Sequence, residues 1–219
     1  MYIQLNGQIL YYEKTGTGQP FLLLHGNGES VETFRTLIPQ LSQYYTVYAI
    51  DTRGHGQSGI VKEYHYQEMA DDIVGFIHAL HLEKPLLYGF SDGGILGLLI
   101  ASQHPELLSG MALSGPNRKP SGCKLRYRIF DKLQYLRTKD PLLLLMIKEP
   151  NIKKSELQQI CIPTLILAGS KDLIRLSETK AIASSITGST LRILPGEDHF
   201  SYVVRSSKLF PILQQFFEF

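Results

Sequence analysis

Runs of apolar residues alternate along the chain with stretches of helical periodicity, which predicts strands followed by helices. Residues 21–24, 46–50 and 86–90 are mostly apolar and lack the alternation of a half-exposed strand, so they are typical of strands buried on both faces. Between the second and third of these runs, residues 64–82 place apolar side chains at every third or fourth position, which predicts one face of a long helix.

The N-terminal residues show a different pattern, because apolar and polar positions alternate on both sides of Asn6 and Gly7. An Asn-Gly pair between alternating segments is a strong hairpin signal, so the chain is predicted to begin with two antiparallel strands. Further along, Ser30 is predicted to cap a helix with apolar residues at 31, 34, 37, 38 and 41.

The second half of the chain continues the same order of elements. The pattern predicts strands at 109–113, 164–168 and 190–194 and helices at 95–101, 178–186 and 207–219. This alternation predicts an α/β fold with a mainly parallel sheet, helices on both faces and an antiparallel hairpin at its start. Because ligands of such sheets bind beyond the carboxyl ends of the strands, polar residues that follow strands are candidates for function.

Residues 117–160 interrupt this alternation, because no strand arrives where one is expected. The segment has apolar residues at 125, 129, 130, 133 and 136, then Pro141 and a second apolar stretch, which predicts two short amphipathic helices. It carries 11 Lys or Arg and 4 Asp or Glu, whereas the whole chain has a net charge of only +2. We expect a single domain over residues 1–219, in which 117–160 form a small cap. Charges on the solvated outer faces of the cap helices are favoured over contact with a membrane or an anionic partner, which is the alternative.

Composition narrows the class of protein. The 219 residues are 43% hydrophobic and 19% charged, which is typical of a globular domain, and the net charge of +2 does not favour nucleic acid as a partner. The longest strongly apolar run, 142–147, is too short to span a bilayer, and the first residues do not resemble an export signal. We therefore expect a cytoplasmic protein without stable membrane association, and the sequence leaves its oligomeric state open.

The two cysteines, Cys123 and Cys161, lie far apart and outside any CxxC pattern. Neither stands in a sequence context that suggests a nucleophile. We expect both to be reduced structural thiols.

A serine between glycines marks the junction of the predicted strand 86–90 with the next helix. Residues 89–93, GFSDG, match the G-x-S-x-G pattern of a nucleophile elbow, in which a strained strand-to-helix turn exposes the serine hydroxyl. Glycine is required on both sides because a Cβ two positions before or after the serine would crowd this turn. Ser91 is therefore the candidate nucleophile.

A serine hydroxyl becomes reactive only when a base removes its proton and a third group orients that base. Asp172 follows the predicted strand 164–168, and His199 follows the predicted strand 190–194. Both are therefore expected at the same edge of the sheet as Ser91.

These residues belong to a series of five motifs. In order they are HGNG at 25–28, DTRGHGQS at 51–58, GFSDGG at 89–94, AGSKD at 168–172 and GEDHF at 196–200. With them the chain resembles the α/β-hydrolase superfamily from the hairpin to the last helix, which implies the α/β-hydrolase fold and a triad of Ser91, Asp172 and His199. The resemblance also implies that the backbone N–H groups of Asn27 and Asp92 bind an oxyanion. The cap is shorter than in many relatives, which implies a more open pocket.

Other residues could be mistaken for members of this site. His25 lies in the HGNG loop and precedes the serine, so an orienting role is favoured over that of base. Asp198 is the sequence neighbour of His199, and neighbouring residues rarely have the geometry for a hydrogen bond between a carboxylate and the imidazole ring. Asp172 is therefore favoured as the acid.

Two further patterns suggest ligands but lack the required context. His78 and His81 lie three positions apart, yet no third ligand with metal spacing follows, and no metal is expected. Residues 54–59 spell G-x-G-x-x-G after a strand, but no helix opens at once and no acid ends a later strand at the distance a dinucleotide site requires. We favour a turn there, with no bound cofactor.

The sequence thus predicts a serine hydrolase that cleaves an ester-like acyl bond of a small-molecule substrate through an acyl-enzyme intermediate. The alternatives are a ligand-binding or receptor protein with negligible turnover, and a C–C hydrolase or perhydrolase with the same triad. A dehalogenase or epoxide hydrolase is disfavoured, because those relatives use aspartate in place of Ser91.

The side chain of Asp92, next to the candidate nucleophile, is a candidate for substrate binding. Facing the pocket, this carboxylate would favour cationic substrate groups. The alternative is a carboxylate turned onto neighbouring groups of the protein.

Overall fold

One mixed sheet lies at the centre of the computed structural model, which describes residues 1–219. Its strands are β1 (Tyr2–Leu5), β2 (Gln8–Thr15), β3 (Pro20–Leu24), β4 (Thr46–Asp51), β5 (Leu86–Phe90), β6 (Gly110–Ser114), β7 (Thr164–Gly169) and β8 (Thr190–Leu194). They lie in the order β1-β2-β4-β3-β5-β6-β7-β8. The pairs β1–β2 and β2–β4 are antiparallel and all others are parallel, so the predicted fold class is confirmed.

Eight α-helices connect or flank the strands. They are α1 (Ile38–Leu41), α2 (Tyr66–Ala79), α3 (Asp92–Gln103), α4 (Leu125–Thr138), α5 (Pro141–Lys148), α6 (Lys154–Leu157), α7 (Leu176–Ser185) and α8 (Leu209–Phe217). Two short 3₁₀ turns, Val31–Phe34 and Pro120–Gly122, complete the list. None of these helices has both the length and the apolar character needed to cross a bilayer.

The sheet is covered on both faces, and β3 shows how. Leu22 and Leu24 pack into a core with residues of α2 and α3, whereas Phe21 and Leu23 pack into a second core with residues of α1 and α8. Successive side chains of a strand point to opposite faces, so a strand without alternation needs an apolar layer on each side. The carboxyl end of the buried strand then emerges between the two layers.

The helix predicted after Ser30 is interrupted in the structure. Ser30 accepts a hydrogen bond from the N–H of Glu32, but it caps only the 3₁₀ turn, and α1 begins at Ile38. Pro39 has no N–H to donate to Arg35, and its ring would clash with that carbonyl in a continuous helix. The five apolar positions predicted for this segment are all buried, but the proline prevents one continuous helix.

The cap, residues 117–160, leaves the sheet after β6 and returns at β7. Its main helix, α4, has no buried residue, and its apolar positions are the exposed ones: Leu125, Ile129, Phe130, Leu133 and Leu136. The half-buried inner face carries polar and aromatic residues instead, among them Tyr127, Asp131, Gln134 and Tyr135. The exposed face of α4 therefore carries apolar side chains in addition to the charges expected there.

Candidate active site

Ser91 occupies the turn between β5 and α3. Its backbone has a φ of 52° and a ψ of −109°, a conformation that residues other than glycine rarely adopt. The N–H of Ser91 donates to the carbonyl of Ser114 at the end of β6, over 2.8 Å. The turn thus fixes the serine at the carboxyl edge of the sheet, at the start of a helix.

The glycines around Ser91 are required by close backbone contacts. A Cβ on Gly89 would lie 2.3 Å from the carbonyl oxygen of Gly93, and one on Gly93 would lie 2.1 Å from the carbonyl oxygen of Leu24. Both distances are shorter than any real Cβ contact. The second glycine therefore lets α3 approach β3, which carries the HGNG loop.

Two further side chains form a hydrogen-bonded series with Ser91. The Nε2 atom of His199 lies 3.1 Å from the Oγ atom of Ser91, and its Nδ1 atom lies 2.7 Å from Oδ1 of Asp172. His199 is 3% exposed and Asp172 is fully buried. A Cβ on Gly115 would lie 2.6 Å from the imidazole, so this glycine leaves room for the ring.

The carboxylate of Asp172 is held by the loop that follows β7. Its Oδ1 atom accepts from the N–H of Ile174 at 2.8 Å, and its Oδ2 atom accepts from the N–H of Gly169 at 3.3 Å. Lys124, at the start of α4, donates to the backbone carbonyl of Asp172. These bonds orient the carboxylate toward Nδ1 of His199, so the imidazole carries its proton there and presents Nε2 to Ser91.

The loop after β3 brings Asn27 to the same place. The amide Nδ2 of Asn27 donates to Oδ2 of Asp92 over 2.9 Å, and the hydroxyl of Tyr66 donates to Oδ1 of Asp92 over 2.8 Å. Asp92 is 4% exposed, and burial raises the pKa of its carboxyl group. Both carboxylate oxygens are thus occupied by neighbours in the protein, the arrangement that the sequence left as the alternative to substrate binding.

The two N–H groups named from the sequence are available to a ligand. The N–H of Asn27 donates to no group of the protein. The N–H of Asp92 is the first of α3, and the first N–H groups of a helix have no partner within it. The positive end of the helix dipole adds to the attraction of an anion at this position.

Glu29, also in the loop after β3, is a buried acid that the sequence reading did not single out. Its Oε2 atom accepts from the N–H of Gly26 at 3.1 Å and from the hydroxyl of Thr33 at 3.0 Å. Burial raises the pKa of this carboxyl group. The only sequence signal is its position directly after HGNG.

Tyr66 is a second residue of the site that the sequence did not single out. The periodicity counts it as an apolar core position. Its ring is indeed buried, but its hydroxyl reaches Asp92.

The side chains of His25 and Asp198 form hydrogen bonds with the backbone of the loops in which they lie or that they contact. His25 lies 2.8 Å through Nδ1 from the carbonyl of Gly26, and its Nε2 accepts from the N–H of Thr52 at 3.1 Å, so neither nitrogen is directed at Ser91. Asp198 accepts from the N–H groups of Phe200 and Ser201 at 2.8 and 2.9 Å, which lowers the pKa of its carboxyl group. It closes the turn that carries His199.

The G-x-G-x-x-G stretch at 54–59 forms a turn. Asp51 holds it by accepting from the N–H groups of Val31 and Gln57 at 2.7 and 2.9 Å. Arg53 forms a two-pronged ion pair with Asp72 at 2.6 and 2.8 Å. The next helix starts only at Tyr66, so no helix N-terminus faces these glycines.

A cavity of about 530 Å³ opens over Ser91. Asn27, Asp92 and His199 line it together with residues of α4 and α5, so the cap forms one wall. The whole lining of the cavity includes large apolar side chains, from the cap and from outside it: Phe90, Phe130, Met146, Ile147, Leu173 and Phe200. The free thiol of Cys123 also lines the cavity, and burial raises its pKa to about 11, so it is a poor nucleophile.

Comparison with known proteins agrees with this fold. Residues 19–144 match the family model described as the alpha/beta hydrolase fold. The chain therefore belongs to the alpha/beta hydrolase family, as the resemblance in the sequence indicated.

Individual relatives cover most of the chain at modest identity. The chain is 26% identical over 255 residues to the AB hydrolase superfamily protein YisY of Bacillus subtilis (strain 168), with 94% of each chain covered. It is 28% identical over 230 residues to the serine hydrolase BPHL of Homo sapiens, covering 90% of this chain and 79% of that protein. Against four other curated relatives, the chain spans only 28 to 41% of their length.

A solved structure shares the fold over its whole length. The esterase EaEST from Exiguobacterium antarcticum superimposes with a TM-score of 0.87 and 22% sequence identity, covering 100% of this chain and 99% of that chain. At this identity the likeness shows the fold alone.

Proposed function

We propose that the protein is a serine hydrolase that cleaves an ester-like acyl bond of a small molecule through an acyl-enzyme intermediate. The observation that carries the proposal is the series Ser91–His199–Asp172, with separations of 3.1 and 2.7 Å, at the floor of a cavity large enough for such a molecule. Family membership supports hydrolase chemistry, and the names of the relatives include serine hydrolase and esterase.

In the first step the Oγ atom of Ser91 attacks the acyl carbonyl carbon while its proton passes to Nε2 of His199. The carbonyl oxygen becomes an oxyanion, which the N–H groups of Asn27 and Asp92 stabilise; each such donor typically lowers the barrier by about 2.7–4 kcal/mol. Asp172 keeps the imidazole in the required tautomer and stabilises its positive charge.

The tetrahedral intermediate then breaks down, and the acyl-enzyme that it leaves is hydrolysed. His199 returns the proton to the leaving group, the bond to that group breaks, and Ser91 keeps the acyl group. A water molecule, deprotonated by His199, attacks the ester carbonyl carbon; His199 then returns that proton to Oγ of Ser91 as the bond to the acyl group breaks and the acid leaves. Because the imidazole must be neutral to accept the first proton, activity is expected to fall toward acid pH.

The carboxylate of Asp92 contributes indirectly in this scheme. By accepting from the side chain of Asn27, it ties the loop that carries one oxyanion donor to the helix that carries the other. Direct binding of a cationic substrate group by Asp92 stays a prediction, and it would require the bonds from Asn27 and Tyr66 to rearrange.

Substitution of Ser91 by alanine tests the proposal. We expect Ser91→Ala to lower kcat for a p-nitrophenyl acyl ester roughly 10⁴-fold or more, because the nucleophile is removed, with little change in Tm. Ser155→Ala is the matched control, since Ser155 is exposed on α6 and does not line the cavity. Equal turnover by Ser91→Ala and the wild-type protein would refute the assignment.

The rival functions need a second measurement. Covalent labelling of Ser91 by a fluorophosphonate with no more than one turnover of any ester would indicate a receptor. A panel of esters, thioesters, lactones and vinylogous diketones would separate acyl hydrolysis from C–C bond hydrolysis.

A further inference from the structure

The cap carries an exposed apolar surface that the proposed chemistry does not use. Leu125, Ile129, Leu133 and Leu136 follow one another at intervals of three or four residues, so they form one ridge along α4. Each of them is more than half exposed, at 57, 51, 55 and 54%. We call this ridge and the cations beside it the α4 outer face.

Cations flank the ridge on both sides. The helical spacing puts Lys132 along one edge and Arg126 and Arg137 along the other, and all three are exposed. The single acidic residue of α4, Asp131, lies on the half-buried inner face and lines the cavity. A ridge of apolar side chains with Lys or Arg at both edges is the pattern of a helix that lies in the interface of a membrane.

The charge of the whole molecule is polarised in the same sense. Residues 117–160 carry a net charge of +7, from 11 Lys or Arg and 4 Asp or Glu, while the entire chain has a net charge of +2. The remainder of the protein is therefore negative. An anionic surface attracts the cap and repels the rest, which turns the α4 outer face toward it.

We infer that the α4 outer face binds an anionic lipid surface. The ridge supplies apolar area to the acyl boundary, and the long side chains of Arg126, Lys132 and Arg137 reach the lipid phosphates. Contact of this kind is reversible, so it differs from the stable membrane association that is not expected from the sequence.

A second copy of the chain fits this face less well. Symmetric packing of two copies of α4 puts the flanking cations of one copy against those of the other, with no exposed acid on α4 to offset the repulsion. A single surface of negative charge attracts the cations at both edges at once.

The cavity adjoins the same face. Phe130 is 58% exposed beside the ridge and also lines the cavity above Ser91. Phe200 is 49% exposed at another part of the cavity wall. Phe130 therefore places one part of the cavity lining beside the α4 outer face.

Flotation with vesicles tests the proposal without reference to catalysis. The wild-type protein is expected to float with vesicles of equal parts phosphatidylcholine and phosphatidylglycerol, to bind pure phosphatidylcholine vesicles at least about tenfold more weakly, and to be released by salt. Ile129→Glu combined with Leu133→Glu should reduce the bound fraction at least about tenfold. The matched control is Ile9→Glu with Ile60→Glu, because both side chains are exposed outside the cap and do not line the cavity.

Because the chain contains no tryptophan, one introduced tryptophan reports its own surroundings. The emission of Leu136→Trp should shift to the blue when the anionic vesicles are added, whereas that of Ile60→Trp should not. Neither measurement depends on turnover, so a failure of the lipid-binding inference can be distinguished from a failure of the proposed hydrolase function.

Any one of four results would overturn the inference. One is wild-type protein that stays in solution with the anionic vesicles. Another is equal loss of binding in the two glutamate pairs, and a third is a blue shift at position 60 alone. The fourth is a dimer in light scattering that only Ile129→Glu with Leu133→Glu dissociates, which would show that the face binds a second copy.

Discussion

At the scale of single residues, two carboxylates compete for the role of orienting His199. Asp198 is its neighbour in the chain, but its carboxylate accepts backbone N–H groups of the following turn. Asp172 lies 27 positions earlier, yet its Oδ1 atom is 2.7 Å from Nδ1 of the imidazole. The hydrogen bond between the carboxylate and the imidazole therefore forms because the two strands that precede Asp172 and His199 end at the same edge of the sheet.

Asparagine substitutions separate the two acids. We expect Asp172→Asn to lower kcat roughly 10⁴-fold, because an amide no longer fixes the tautomer or stabilises the imidazolium. Asp198→Asn should change kcat by less than about tenfold, since asparagine retains the oxygen that closes the turn. Steady-state kinetics with a p-nitrophenyl acyl ester measures both; a larger loss in Asp198→Asn would reverse the assignment.

At the scale of elements, the junction of β5 with α3 is set by how closely α3 approaches β3. The hydrophobic pattern places the start of this helix at residue 95, whereas α3 begins at Asp92. Gly93 and Gly94 read as turn residues in the sequence, but in the structure they belong to the helix, and the missing side chain of Gly93 admits the carbonyl of Leu24.

Two glycines within helices provide a matched test of this contact. We expect Gly93→Ala to lower the free energy of unfolding by about 2–4 kcal/mol or to prevent folding, because its Cβ would lie 2.1 Å from the carbonyl oxygen of Leu24. Gly75→Ala, in α2, should instead raise that free energy by up to about 1 kcal/mol, because the nearest atom to its Cβ is 3.5 Å away. Urea denaturation measures both, and equal stability of the two variants would contradict the packing described.

At the scale of the whole molecule, buried titratable groups at the edge of the sheet make the stability of the fold depend on pH, and burial shifts their pKa values in opposite directions. Burial, followed by repulsion from His55, lowers the pKa of His25 to about 3. Burial raises the pKa of the carboxyl groups of Asp92 and Glu29. Burial disfavours the charged form of all three groups, so the histidine makes the fold less stable as the pH falls, whereas the carboxyl groups make it less stable as the pH rises.

The histidine predicts a loss of stability in mild acid. Between its ordinary pKa of about 6.5 and its value of about 3 in the folded protein, the unfolded chain binds a proton that the folded protein does not. The contribution of His25 to the free energy of unfolding is therefore complete above about pH 6.5, and at pH 5 about 2 kcal/mol of it is lost.

Comparison of the wild-type protein with His25→Gln isolates this effect, because the buried carboxyl groups are common to both. Urea denaturation at pH 7 and pH 5 should show a fall in the free energy of unfolding that is about 2 kcal/mol larger for the wild-type protein. An identical pH dependence in the two proteins would mean that His25 is protonated in the folded state.

The sequence by itself determined the order of strands and helices, the mainly parallel sheet and the family. Local periodicity carries this information, because the residues of one strand or helix are close together in the chain. The candidate residues Ser91, Asp172 and His199 could be named because each follows a strand, and the carboxyl ends of parallel strands meet at one edge.

The tertiary structure alone decided contacts between distant segments. Tyr66 reads as a core residue, and only the packing of α2 against α3 shows that its hydroxyl reaches Asp92. The apolar positions of α4 read as a packing face, and only the placement of the cap shows them exposed. Periodicity states that a helix has an apolar side, but the rest of the molecule decides whether that side meets a core or a different surface.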